Sequence, residues 1–545
     1  MHLDRAWGAL LGQAVGDALG TTLEFQTAAQ IARRWPDGLR EIVGGGPFDL
    51  LPGQITDDTE LALALARSLA ERRRFDPADV MRRYEAWAAS GPFDMGMTCR
   101  AAFQDGRPNP TSQANGALMR ASPLGVWGAG RTGLAEAAAA DAALSHPHPA
   151  CVAANVAFTR AIAFAIETGA DARAVHAEAV RVAEGTPAHR WLVAAASALP
   201  PDFQTQMGWV AIALQNAFYQ LLHAESFEEG VVDTARRGGD TDTNAAIAGA
   251  LLGAVHGARA IPARWSEAVL SCDAPRPALW RANDLRALAM QLVRPTVAVA
   301  DLHGHSALLR ALVDRLDAEL GEYALVLLGD YVDNGPDVPG LLDLALALRE
   351  ERGDRFHAIL GNHDLACLLA LDDDAWFAWW SARYWNPGRG TPAQYGAGDR
   401  SAFRQRFPTA HRELLASLPW FYDDGAHLFV HAGLEPGPLG PQVEALAQRR
   451  MPSTKLHLPP PLREKDLAVA HDPAWDRVVV SGHTRSGHIA SRAPGHPGLP
   501  HFVTATRITL SAEVDSTGVL YAVILPERRF VSAPAPASRA ASGSP

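Results

Sequence analysis

The chain has 545 residues, about three and a half times a ~150-residue domain, so at least two hydrophobic cores are expected. With 48% hydrophobic and 20% charged residues the composition is that of a globular protein, which excludes general disorder. Forty-nine Lys and Arg against 60 Asp and Glu leave a net charge of −11, excluding a broad electrostatic grip on nucleic acid or anionic lipid while leaving room for a local basic pocket.

The first residues lack a basic stretch followed by an apolar core, and the longest apolar runs fall short of ~18 residues, so no membrane association is expected. The four cysteines, Cys99, Cys151, Cys272 and Cys367, lie far apart with no C-x-x-C pair. That spacing builds neither a zinc knot nor a disulfide framework and points to a reducing, cytoplasmic setting.

Up to about residue 292, apolar residues recur at helical spacing in 60–73, 135–144, 151–167 and 210–223, which predicts an all-helical half. The stretch Asp273-Ala274-Pro275-Arg276-Pro277, a last helical run and Arg294-Pro295 mark the boundary. Beyond it, short β-branched and apolar runs at 296–300, 323–328, 356–360, 427–430 and 478–480 predict buried strands. Helical stretches at 306–320 and 339–351 lie between the first of these, the alternation of a layered α/β fold. The tail, rich in Ala, Pro and Ser, is expected to be unordered. The expected organisation is therefore two-domain: an all-α domain over 1–292, an α/β layered domain over 293–530, and a disordered tail over 531–545.

In the first half, oxygen donors concentrate in Thr56-Asp57-Asp58-Thr59 and in Asp240-Thr241-Asp242-Thr243. Each precedes a helical run and could alone be a helix cap, Asp57 with Glu60 fitting a capping box. Together they exceed what a cap requires; a cation would resolve their repulsion, and oxygen donors alone suit Mg²⁺. Low-bulk glycine segments at 12–20, 44–46 and 115–120 fit either backbone N–H groups holding a diphosphate or close helix packing.

Gly16-Asp17-Ala18-Leu19-Gly20, the Thr56 segment, Asn115-Gly116-Ala117-Leu118-Met119-Arg120, Ser145-His146 and Gly238-Gly239-Asp240-Thr241-Asp242-Thr243, in that order, resemble the ADP-ribosylglycohydrolase family of the dinitrogenase reductase-activating type, over residues 5–290. The resemblance implies an all-α fold with two Mg²⁺ ions, replaceable by Mn²⁺, and release of ADP-ribose from a modified protein, nucleic acid or small molecule. By position it implies Thr56, Asp57, Asp58, Asp240, Asp242 and Thr243 as metal ligands, with Asp57, Asp58 and an acidic Glu24 over the site in catalysis. Gly116, Met119, Ser145 and His146 would contact ADP-ribose, a surface histidine being the alternative for His146. The reaction breaks a ribosyl C1″–N or C1″–O bond through an oxocarbenium-like transition state, with metals fixing the sugar and carboxylates accepting the proton of water.

In the second half each expected strand ends in potential ligands: Asp301-Leu302-His303, Gly329-Asp330 with Asp333-Asn334, Gly361-Asn362-His363-Asp364, His431-Ala432-Gly433 and Gly482-His483-Thr484. Strand ends of an α/β sheet converge on one crevice, and imidazole, carboxylate and amide together suit Mn²⁺, Fe or Zn²⁺ better than Ca²⁺. The series is similar to the calcineurin-like metallophosphoesterases, in the branch with protein Ser/Thr phosphatases and diadenosine tetraphosphate hydrolases. It implies two metals, one on Asp301, His303 and Asp330, the other on Asp330, Asn362, His431 and His483, with His363 protonating the leaving oxygen and Asp333 orienting its ring. One departure stands out: Asn334 takes the place of a phosphate-gripping arginine, a charge Arg485 could supply. The insertion 372–388, with Trp376, Trp379, Trp380 and Trp385, reads as a lid that stacks a base or as packing under a loop.

The expected function is a bifunctional hydrolase that removes ADP-ribose from a target and cleaves a phosphate ester of a nucleotide or ADP-ribose-related substrate. A dual eraser of ADP-ribose and protein phosphate is the alternative, and a non-catalytic nucleotide sensor a third.

Overall fold

The computed structural model describes residues 3–384, 390–452, 456–493 and 501–534. The chain divides into two compact units, Met1–Arg294 and Pro295–Pro545.

Among its described residues, every regular element of the first unit is a helix, joined by loops that pair only in isolated bridges. Its axis is the pair formed by the opening helix, Leu3–Gly20, and the helix Thr241–His256. Gly8, Gly12, Gly16 and Gly20 recur every four residues and so share one helix face. A Cβ added at Gly8 would fall on the carbonyl oxygen of Gly253, at Gly12 on that of Gly249, and at Gly16 on that of Ala245. The rising number on one helix against the falling number on the other makes the pair antiparallel, with backbones in contact. Segment 12–20 therefore serves close helix packing, the second of its two readings. The same contact brings the end of the opening helix beside the start of Thr241–His256, where the second acidic segment lies.

The helix Asp57–Arg72 carries the first acidic segment into the same region. The capping-box reading of Asp57 and Glu60 is corrected here. Glu60 is buried and engages the Arg276 guanidinium and the Trp87 indole N–H, 2.7 and 2.6 Å away. A second correction concerns apolar length. The 20-residue helix Pro149–Thr168 is long and apolar enough to cross a bilayer, but 72% of its apolar window is buried inside the unit, which accounts for its composition as a core helix.

Among its described residues the second unit has ten strands: β1 (Thr296–Val299), β2 (Ala324–Leu327), β3 (Phe356–Ala358), β4 (Phe421–Asp423), β5 (His427–Val430), β6 (Val478–Ser481), β7 (His501–Val503), β8 (Arg507–Leu510), β9 (Leu520–Leu525) and β10 (Arg529–Ala533). They form two five-stranded sheets, ordered β10-β9-β1-β2-β3 and β4-β5-β6-β8-β7. The ligand-ended strands all lie in parallel pairs, β1 with β2, β2 with β3 and β5 with β6, while β8, parallel to β6, ends in none of the expected ligands. Antiparallel β9 and β10 extend one sheet, and β4 and β7 edge the other.

Side chains alternate across each strand. Ala298, Val326, Phe429, Val480 and Ile508, from both sheets, form one apolar layer, so the sheets pack face to face. Val297, Val299, Leu325 and Leu327 point the other way, against helices that include Ser306–Leu320 and Val338–Arg352. This is the layered α/β architecture. Val531–Ala533 belong to β10, so the expected tail begins too early at 531; residues 535–545 lie outside the described residues.

Candidate metal centres

The centre of the first unit is organised by Asp17, in the last turn of the opening helix. Its fully buried carboxylate accepts from the backbone N–H of Thr56 and Thr59 at 3.1 and 3.2 Å and from the Thr59 hydroxyl at 2.6 Å. Asp17 thus satisfies the open N-terminus of Asp57–Arg72 from outside, leaving Asp57 and Asp58 free for another task. Asp58 Oδ2 lies 3.1 Å from the Thr56 hydroxyl and 3.3 Å from that of Thr243, so the two acidic segments meet. Asp240 accepts from the Asn115 amide at 2.7 Å. Glu24, Asp240 and Asp242 each offer an oxygen within 4.8 Å of the others.

Glu24 Oε2, Asp58 Oδ1 and Asp242 Oδ1 are buried without a hydrogen-bond partner. Burial, with Asp94, Asp240, Asp57 and Asp17 nearby, pushes the Glu24 carboxyl up to about 9. Burial followed by acidic neighbours holds Asp57, Asp58 and Asp242 well above the usual carboxylate range. Orphaned oxygens on mutually repelling carboxylates fit divalent cations bound through oxygen alone.

The residues that the resemblance implies for ADP-ribose are buried beside this cluster. His146 is 1% exposed, which overturns the surface reading. Its Nδ1 lies 2.8 Å from the Ser145 hydroxyl, which accepts from the buried Arg120 guanidinium at 2.9 Å. Arg120 is paired with Asp141 and also donates to the Gly116 carbonyl at 2.8 Å. A Cβ on Gly116 would come within 3.0 Å of the His146 ring. Burial and the Arg120 charge push His146 down to about 3, so it stays neutral. Gln13 ties the carbonyl of Met119 to that of Asp58, 3.0 Å from each.

In the second unit Asp301, Asp330, His431 and His483 offer ligand atoms within 4.8 Å of one another, as do His303, Asp330 and His363. The imidazole protons are assigned by the backbone. His431 Nδ1 donates to the Leu328 carbonyl at 2.7 Å, His303 Nδ1 to Val332 at 3.0 Å and His483 Nε2 to Arg463 at 2.8 Å. The other ring nitrogen of each imidazole turns inward, where it can serve as a metal ligand once it is unprotonated. His431 Nε2 lies 3.2 Å from His483 Nδ1 and 3.3 Å from Asp330 Oδ2. Burial opposes protonation of His431, but Asp330 and Asp301 outweigh it and raise the imidazole to about 10, so a cation at this cluster would take the place of a proton. His303, Asp330, Asp333, Asn334 and His483 all adopt positive φ, so strained backbone is concentrated at this site.

His363 Nδ1 lies 2.8 Å from Asp333 Oδ2, the orienting contact expected of that pair. Burial opposes protonation of His363, but Asp330, Asp333 and Asp364 outweigh it and raise the imidazole to about 9. A cavity of about 1320 Å³ opens over the cluster, walled by Trp379, Arg383, Tyr384, Arg463, Lys465 and Arg485 among others. Arg485 reaches the cavity but pairs with Asp515 at 2.6 Å, so its charge is partly spent. Asn334 is buried at the wall with Oδ1 unpartnered. The expected lid divides: Trp380 is fully buried, Trp376 and Trp379 are half-buried, and Trp385 lies outside the described residues.

Several residues went unassigned from sequence. Asp17 and Asp364 sit inside the quoted motifs. The Asp364 carboxylate accepts from the N–H groups of Asp330, Tyr331 and Gly361 at 2.8 to 2.9 Å, fixing the β2 and β3 loops against each other. Asp94 and Arg463 have no flanking motif.

Residues 1–300 match the family model described as ADP-ribosylglycohydrolase, and residues 294–496 that described as calcineurin-like phosphoesterase. An ADP-ribosyl-[dinitrogen reductase] glycohydrolase of Rhodospirillum rubrum is 36% identical over 272 residues, 48% of this chain and 89% of the relative. An ADP-ribosylarginine hydrolase of Pseudomonas putida is 30% identical over 289 residues, 49% of this chain and 74% of the relative. A solved structure titled as an ADP-ribosylglycohydrolase-related protein complex shares 33% identity and a TM-score of 0.46, covering 53% of this chain and 97% of that one.

Proposed function

We propose, from the premise that this chain belongs to the ADP-ribosylglycohydrolase family, that it is a cytoplasmic bifunctional hydrolase: the first unit removes ADP-ribose from a modified protein, and the second cleaves a phosphate ester of a nucleotide or ADP-ribose-related substrate. One observation carries the reading. Each unit gathers its own donor set, one of oxygen alone with orphaned carboxylates, the other of carboxylate, amide and imidazoles whose second ring nitrogen the backbone turns inward.

In the first unit Thr56, Asp57, Asp58, Asp240, Asp242 and Thr243 would hold two Mg²⁺ or Mn²⁺, which when bound supply positive charge to fix the ribose and acidify water. With cations holding them ionised, Glu24 and the buried aspartates would accept the proton of the attacking water, and Gly116, Met119, Ser145 and His146 would line the ADP-ribose subsite. The printed names of the two relatives make an arginine-linked carrier the first to test.

In the second unit Asp301, His303, Asp330, Asn362, His431 and His483 would hold two Mn²⁺, Fe or Zn²⁺, which when bound supply charge to the phosphate. His363, held through Nδ1, presents Nε2 to the leaving oxygen. Arg383, Arg463 and Lys465 offer positive charge to a phosphate group, among the acidic Glu464, Asp466, Glu513 and Asp515 of the same wall, and Asn334 speaks against a site specialised for phosphoprotein.

The test is turnover of ADP-ribosylated arginine peptides, phosphorylated ADP-ribose species, dinucleoside polyphosphates and phosphopeptides by the metal-loaded chain and by its Asp57→Ala and His363→Ala variants. Each variant should lose one activity, by at least about a hundredfold, and keep the other. Turnover of phosphopeptides alone at the second site would reject the nucleotide assignment.

A further inference from the structure

The segment between β3 and β4 does more than wall the cavity. The helix Asp374–Tyr384 sends the Trp380 indole inward, where Nε1 donates to Asp333 Oδ2 at 2.7 Å, the same oxygen that faces His363 Nδ1. From the other side, the Thr391 hydroxyl donates to Asp333 Oδ1 at 2.6 Å while accepting from the Asp333 N–H at 2.9 Å, so its single proton is committed to that carboxylate. Asp333 is fully buried. Both of its oxygens are held, and the carboxylate cannot turn away from the imidazole. The ring of Tyr384, from the same helix, lies against that of His363 with centroids 4.2 Å apart.

We propose that Trp380 and Thr391 are positioning residues for proton delivery in the second unit: they lock Asp333 so that His363 holds its Nδ1 proton inward and keeps Nε2 aimed at the leaving oxygen. The inference rests on the phosphoesterase reading above. In the step it serves, the oxygen of water forms a bond to phosphorus, the bond from phosphorus to the ester oxygen breaks with its electron pair on that oxygen, and the Nε2 proton moves to it, giving an alcohol. The proton released by the attacking water restores His363 through solvent. A poor leaving group depends on this proton transfer and a good one does not, because an aryl oxide departs unprotonated.

That asymmetry supplies the test. The Mn²⁺-loaded full chain and its Trp380→Phe, Thr391→Val and Thr391→Ser variants are assayed on p-nitrophenyl phosphate and on a simple alkyl phosphate, with metal content read by elemental analysis. The expected result is a fall of about tenfold in the alkyl-to-aryl ratio of kcat for Trp380→Phe and Thr391→Val, part of the 10²–10⁴ that acid catalysis contributes. Thr391→Ser, which keeps the hydroxyl, should restore the ratio, with metal content at the wild-type level throughout. Equal losses on both esters, an unchanged ratio, or loss of metal from the variants would overturn the inference. Failure of the wild-type chain to hydrolyse either ester would instead overturn the phosphoesterase reading, and the inference with it.

Discussion

Glu24 is the side chain on which the cost of the first acidic centre can be measured. Burial and four neighbouring aspartates raise its carboxyl from 4.5 to about 9. Between those values the folded chain binds a proton that the unfolded chain has released, so stability declines as pH rises through the window. At pH 7 the cost is about 3 kcal/mol, from two and a half pH units at about 1.4 kcal/mol each. Glu24→Gln keeps the shape and cannot ionise. In EDTA the variant should therefore be more stable than the wild type by about 3 kcal/mol at pH 7, with the advantage vanishing near pH 4.5 and growing toward pH 9. Hydrogen exchange of the slowest amides in Thr241–His256, corrected for intrinsic rates, reads the opening free energy of this unit without interference from the other. Added Mg²⁺ should reverse the order, because a cation repays the wild-type carboxylate and has less to repay in the variant. A variant no more stable than the wild type in EDTA, or an advantage indifferent to pH, would show that the carboxylates are not held at a cost, and the argument for a cation there would lose its footing.

Two further substitutions probe the scaffolds. Gly249→Leu places a side chain on the carbonyl of Gly12 and should cost about 3 kcal/mol or more by thermal unfolding, weakening Mg²⁺ binding at the far end of the helix pair. Asp364→Ala strands the buried N–H groups of Asp330, Tyr331 and Gly361, each at about 1–3 kcal/mol, and elemental analysis should find the second unit depleted of metal while the ADP-ribosyl hydrolase activity persists.

What could be read in the sequence follows from where each interaction is encoded. The ligand-ended strands β1, β2, β3, β5 and β6 are largely buried on both faces, so each is a mostly apolar run closed by a turn, and the turn carries the ligands; β8 is buried and parallel too, but no ligand follows it. β9 is as apolar but has no ligand at its end, and it joins β1 from 200 or more residues away as an antiparallel neighbour. β4 is half-buried along its length, and Val503 in β7 is exposed, so neither edge strand has a decisive pattern. The glycines of the opening helix stayed ambiguous for a different reason: a four-residue spacing shows that a face is flat, and only Gly249 and Gly253 on the partner helix show what lies against it.

The sites divide along the same line. Donors that act from the ends of their own elements, such as Asp57, Asp240, Asp301 and His431, stand in short clusters and can be recognised. Groups that act across tertiary contacts cannot: Asp17 reaches Thr56 over 39 positions, Trp380 reaches Asp333 over 47 and Thr391 over 58. The most decisive feature has no side-chain signature at all. Which ring nitrogen each histidine turns inward is set by the carbonyls of Leu328, Val332 and Arg463, and any residue has a carbonyl. Substituting those residues would change little, whereas shifting their backbone by a fraction of an ångström would release an imidazole to rotate. Metal affinity in the second unit should therefore respond to packing behind β2 and β5 as strongly as to many changes made among the ligands themselves.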